Sequence, residues 1–277
     1  MNILGIIKDS FLFPSKNTGR FAIYLLLSVL AEGLIIGGLF TYGLGIFNGE
    51  NYLLGGIYII ISMLIGFIIC GYHIKVIKSG IELDNEVPVF ELFENFMTGF
   101  DNIVVSIVYF IIPALIVIVV ALDRNLFGNA VAIIEEIFSQ ILNVLIMDAT
   151  VNTALNAISH TVDIFLGSLA ITLAAAFIIF LIFSILQTIA EVRLANTGSL
   201  KEALNIFETL KDIKRIGVGK VILLLLLLAV IIGIIEIILT FVFSYYMFLV
   251  AVIYIIITPY LALVTQRAFG LLYSDIA

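Results

Sequence analysis

Glu32 is the residue best placed to do chemistry. It lies about eleven residues into an apolar run that opens at Phe21, or about 17 Å along a helix. An ionisable side chain that deep in a membrane marks a proton or cation site. No Lys or Arg stands at matching depth in another run, so the carboxyl is expected to be protonated or held by a hydroxyl such as Ser28, Tyr58 or Ser62. The competing reading is a neutral carboxyl that bridges two helices. Glu236, about sixteen residues past Lys220, falls near the far boundary and can snorkel to water. His73 and His160 are the only histidines. The topology below sets a membrane between them, so they cannot share a metal, and each reads as a surface residue. Cys70 is the only cysteine, which excludes an intrachain disulfide and a cysteine metal cluster. In an apolar helix end it reads as a structural thiol. Phosphate loops, zinc spacings and nucleophile elbows are absent. No catalytic residue, metal ligand or cofactor is expected, and the chain reads as non-enzymatic.

The elements that position these residues follow from composition. The chain is 63% hydrophobic and 12% charged, with mean hydropathy +1.27. A soluble domain is about half apolar and a quarter charged, so lipid must solvate much of this one. The pI near 4.8 argues against a nucleic-acid partner, whose footprint would be basic. An all-α polytopic membrane bundle in one domain over 1–277 is expected. Its spans read as 21–47, 52–76, 103–122, 164–190, 220–242 and 246–268, with turns at Asn48–Asn51 and Ser244–Tyr246. Val221–Val264 carries one charge, Glu236. As a single helix it would extend about 65 Å, about twice the bilayer core, so it must fold back.

Lys and Arg gather in alternate gaps: Lys8, Lys16 and Arg20, then Lys75 and Lys78, then the group from Arg193 to Lys220, then Arg267. Only Arg124 stands on the other side. That bias predicts a cell-membrane protein with both termini in the cytoplasm.

Short amphipathic helices are expected at Pro88–Phe100, with Pro88 at the first helical position, and at Ser199–Asp212, where Ser199 and Glu202 fit a capping box. Ile3, Leu4, Ile7 and Phe11 repeat the idea at the N-terminus. The outer segment 123–163 reads as two amphipathic helices packed over the outer face. Glu135 and Glu136 count against a seventh span there. Small-residue stripes at Gly33, Gly37, Thr41 and Gly45, at Ser62, Gly66 and Cys70, and at Ser168, Thr172 and Ala176 are candidates for close helix packing or homodimerisation. Pro113 and Pro259 are expected to kink the third and sixth spans.

The layout also repeats three times. Each unit is an amphipathic lead-in, a span, a turn and a second span ending in a basic residue before a glycine: Lys75 and Gly80, Arg193 and Gly198, Arg267 and Gly270. The stretch Gly71-Tyr72-His73-Ile74-Lys75-Val76-Ile77-Lys78-Ser79-Gly80 runs into the acidic Glu82 to Glu86. Pro88-Val89-Phe90, Phe93, Gly99 and Tyr109 to Pro113 follow. Together with Tyr260, Arg267 and Phe269 this resembles the multi-pass membrane family, mainly archaeal, called domain of unknown function 4013. His73 and Lys75 stand where the family more often has an apolar residue and Arg. The resemblance implies the same topology, and no activity, substrate or catalytic residue.

Two roles compete on these residues. The first is a non-enzymatic membrane scaffold or interaction protein, using its cytoplasmic amphipathic segments. The second is a small-molecule or ion transporter built on Glu32. The lipid bilayer is the expected partner, with a second copy or another membrane protein as further possibilities.

Overall fold

A computed structural model describes residues 1–48, 52–146, 150–243 and 245–277. Those residues are all-helical, without strands. In hydrocarbon only a helix satisfies every backbone group within one segment. The expected turn at Asn48–Asn51 lies outside the described residues beyond Asn48, as does Ser244 of the turn at 244–246. Helix α1 is Ile3–Leu12, capped by the Asn2 side chain, which accepts from the Gly5 amide. A 3₁₀ turn at Pro14–Asn17 leads into α2, Thr18–Asn48. Then come α3 (Tyr52–Ile81), α4 (Leu92–Asp123), α5 (Leu126–Ile146) and α6 (Val151–Thr197). They are followed by α7 (Leu200–Ala203), α8 (Ile206–Ile216), α9 (Val218–Phe243) and α10 (Met247–Tyr273).

Three boundaries differ from the sequence reading. Pro88 does not open a helix: residues 88–91 are non-helical and α4 begins at Leu92. The amphipathic lead-in therefore runs into its span as one helix. Ser199 does cap, accepting from the Glu202 amide, but the helix stops after Ala203 and Asn205 caps a new one. The second outer stripe, from Val151, is continuous with the fourth span in a single 47-residue α6. No proline lies between Val151 and Thr197 to break it. Gly198 ends α6 at φ +63 with its amide on the Leu194 carbonyl, the left-handed stop that glycine adopts without a Cβ clash.

Seven stretches among the described residues are long and apolar enough to cross a membrane. The one beyond the expected six is α5. Pro113 and Pro259 sit inside α4 and α10.

The chain forms two compact units, Met1–Ser106 with Leu186–Ala277, and Ile107–Ile185. In the first, α2 and α3 pair where Gly38 meets Gly55 and Ile59. The expected stripe sits elsewhere on these helices. Nothing lies within 4 Å of a Cβ built at Gly33, Gly37 or Gly66. The crossing uses Gly38 because that residue is turned by one helical step, about 100°, from Gly37. Thr41 is half-buried and Gly45 buried. Closer still is the α3–α4 crossing, at Gly71 and Gly99. Gly80 and Gly270 let α3 touch α10. A buried core of Phe13, Tyr24, Tyr72, Val76, Val87 and Leu263 holds α2, α3 and α10 together. At the foot of α9, Lys220 bonds Asp275 and holds its carboxyl below the ordinary range.

In the second unit, the Phe110 ring of α4 stacks on Phe180 of α6 at 6.1 Å. Asn129 of α5 donates to the Ser168 hydroxyl at 3.2 Å. Thr172, buried, turns its hydroxyl to its own helix at the Ser168 carbonyl.

Candidate functional site

The basic ends of the first unit are locked by three sets of ion pairs with one plan. Lys75, closing the first repeat, bonds Glu91 and Glu94 (2.9 Å to the latter) of the next lead-in. Arg193, closing the second, bonds Asp212 at 2.7 Å and Glu202 at 2.6 Å. Asp212 is 0% exposed and also accepts from the Tyr273 hydroxyl at 2.7 Å. Arg267, closing the third, returns to the first lead-in and bonds Asp9 at 3.0 Å. Its guanidinium, 1% exposed, also donates to the Ser79 hydroxyl and the Asp84 carbonyl, and lies 4.5 Å from the centre of the Phe13 ring. Lys16 bonds Asp9 from the other side at 2.8 Å. A basic residue at each repeat's end thus grips the following lead-in, and the third grip closes the circle. These are structural charges, each already paired.

A cavity of about 210 Å³ is lined by Tyr24, Ser28 and Glu32 of α2, His73 of α3, and Thr258 and Pro259 of α10, with Ala31, Ile69 and Ala262 between them. Spacing explains the gathering. Tyr24, Ser28 and Glu32 recur every fourth residue and so share one helix face. His73 lies within hydrogen-bond reach of Tyr24, its Nε2 at 2.8 Å from the hydroxyl. The imidazole tautomer decides which of the two donates. The Thr258 hydroxyl is buried without a protein partner. Glu32 stands exposed at the mouth. Two of the three hydroxyls expected to hold it are engaged elsewhere: Ser28 donates to the Tyr24 carbonyl at 3.0 Å and Ser62 to the Ala31 carbonyl at 2.7 Å. Both find a backbone acceptor nearer than the carboxylate. One turn along α10 from Thr258, Tyr254 lies beside Glu236 of α9.

The structure therefore joins residues that the sequence reading kept apart. Glu32, His73 and the Pro259 segment share one cavity, and Glu236 reaches toward it through Tyr254. His73 is not a surface residue, which corrects the expectation. Periodicity assigned it to a helix end but could not show that Tyr24 of another helix lies opposite. His160 is exposed on α6. Cys70 is half-buried. A larger crevice of about 400 Å³, lined by Leu239, Thr240, Phe243, Val250, Tyr254 and Ile255, carries no charge and suits hydrocarbon. A second polar cluster joins α4 to α6. Gln187 donates to Glu191 at 2.6 Å and to Ser106 at 3.2 Å.

What the cavity can do chemically is hold and pass a proton or a small cation. It offers a carboxylate, an imidazole and the hydroxyls of Tyr24, Ser28 and Thr258. It offers no activated nucleophile. A family model described as Protein of unknown function (DUF4013) matches residues 54–244. No curated protein and no solved structure matches the chain.

Proposed function

The chain belongs to the DUF4013 family, which brings no activity with it, and from its own chemistry we propose that it is a membrane transporter for protons or a small cation, seated at Glu32. It acts without covalent catalysis, in a cell membrane, with its basic ends in the cytoplasm as the Lys and Arg bias predicts. The supporting observation is the cavity in which Glu32 and His73 meet among hydroxyls. Ionisable residues at membrane depth are costly and mark ion pathways when they line a cavity. On this reading Glu32 is the binding carboxylate. Tyr24 and His73 form the inner hand-over, and Tyr254 with Glu236 the outer one. Pro259 leaves a backbone carbonyl unpaired in α10, a further oxygen for a cation beside Thr258.

The test is a flux assay. Purified protein is placed in liposomes loaded with a pH-sensitive dye, and a pH gradient is imposed under a potassium diffusion potential. The native chain dissipates the gradient, and Glu32→Gln abolishes this while its elution profile in detergent stays unchanged. Equal flux from native chain and variant, or none above empty liposomes, would sink the proposal.

A second reading, the scaffold, draws on the exposed apolar side chains of the lead-ins, Phe93 and Phe207 above all (79% and 78% exposed). Such faces lie in the membrane interface or against a partner. There, charge reversal at Lys211, Lys214 and Arg215 changes binding to anionic vesicles, and Glu32→Gln is silent.

A further inference from the structure

The second unit holds a surface that the transport site does not use. Helix α6 runs about 70 Å unbroken, more than twice the bilayer core of about 30 Å. From Ile164 onward it is the apolar crossing. Its first third instead exposes Asn152, Asn156, Ser159, His160 and Asp163, a face suited to water.

Helix α5 lies along that third, held by the Asn129–Ser168 bond. Chain length fixes its direction. From Asn129 to Ile146 is about 25 Å of helix, and from Ser168 back to Val151 is also about 25 Å. The link from Ile146 to Val151 can span at most about 18 Å. Only an antiparallel hairpin meets that limit, since a parallel arrangement would part the ends by about 50 Å. The Ser106–Gln187 bond and the Phe110–Phe180 stack together set α4 antiparallel to α6. Helix α5 therefore continues in the direction of α4 and does not cross back, although its composition would suffice.

The hairpin has two unlike sides. Facing inward on α5, half-buried, is a polar ladder: Gln140 donates to Glu136 at 2.7 Å and Asn143 to Gln140 at 3.4 Å. Facing outward are Phe127, Val131, Ile134, Phe138, Ile141 and Leu145, each 50–75% exposed. Those six alternate at four and three residues, the seam of a two-stranded coiled coil, and Ile137, Leu142 and Ile146 (40%, 41% and 73% exposed) widen the apolar face beside it. An open groove lies beside Ile134 and Phe138. Lipid does not account for this stripe. The neighbouring face of α6 is polar, and an unbroken α6 without proline bends only gently, so it keeps the hairpin off the membrane plane.

We infer that α5 is a dimerisation helix, whose apolar seam seats against the same seam of a second copy. Two copies in one membrane project their hairpins from the same face, so a two-fold axis along the membrane normal makes the pairing parallel and self-complementary. The stripe offers about 100 Å² per side chain, so a pair buries about 1,200 Å², enough for a specific interface. Glu135 flanks the seam and does not meet its own copy, because flanking positions of a parallel pair face the opposite flank.

The experiment replaces the single cysteine (Cys70→Ala) in the full chain, then introduces one cysteine at a time from 127 to 145. Native membranes are oxidised and run on non-reducing gels. Disulfide-linked dimer is expected to peak at 127, 131, 134, 138, 141 and 145 and to be weak at Ser139→Cys. Ile134→Glu with Phe138→Glu is expected to halve the protein mass in detergent while leaving a single sharp elution peak. Links without that period, links only to other proteins, or no links from folded protein each overturn the inference. So does a spin label at Phe138→Cys with the oxygen access of lipid, which would lay the helix on the membrane.

Discussion

Asp9→Ala is expected to destabilise the protein by about 3 kcal/mol, seen as a lower midpoint of thermal unfolding in detergent. The cause is what remains behind. Arg267 is 1% exposed and would keep the Ser79 hydroxyl, the Asp84 carbonyl and the Phe13 ring face, but no bonded carboxylate. Neither oxygen is charged, so a cation would sit buried without its anion. Lys16 would lose the same carboxylate at little further cost, because it can turn to water. The double change Asp9→Ala with Arg267→Met separates this cause from simple loss of contact. Removing both charges often costs little, because the desolvation penalty disappears with them. The double variant is therefore expected to regain most of the lost stability. If it is as unstable as Asp9→Ala, the unpaired charge is not the reason.

A larger loss is expected from a single methyl group. A Cβ at Gly71 would lie 1.7 Å from the Asn95 carbonyl oxygen, and one at Gly99 would lie 1.8 Å from the Phe67 carbonyl oxygen. Both obstacles are backbone, so no side chain can turn aside. The α3–α4 crossing would have to open along its length. Gly71→Ala is expected to cost about 4 kcal/mol or more, in the range reserved for such clashes, and to remove the folded peak from size-exclusion profiles. Gly33→Ala is the control. Nothing lies near that position, and alanine favours a helix over glycine. A normal yield of Gly71→Ala would mean that the helices do not cross at this glycine.

The outline of the bundle was legible because lipid imposes a coarse rule. Apolar runs of fixed length, broken at charges and turns, mark the helices, and the lead-in stripes of α1 and α8 show in their periodicity. What one sequence could not supply is which face meets which helix. Gly33 and Gly37 fit the small-residue spacing, yet α3 packs on Gly38, one step round. Asp163 read as the end of the outer segment, but a polar residue without proline or glycine beside it does not end a helix, and α6 passes through it. Pro88 read as a start, though the chain stays non-helical for three more residues. The candidate site was half legible. Glu32 stood out by depth alone. His73 and Tyr254 did not, since their meaning lies in neighbours from other helices.

The circle of ion pairs has a consequence for how the molecule is made. Lys75 and Arg193 reach partners no more than 19 residues away, so each can be fastened soon after it leaves the ribosome. Arg267 reaches back 258 residues to Asp9. Helix α1 therefore waits without this partner until α10 has been made. A nascent protein halted before α10 would present a loose, charged amino-terminal arm.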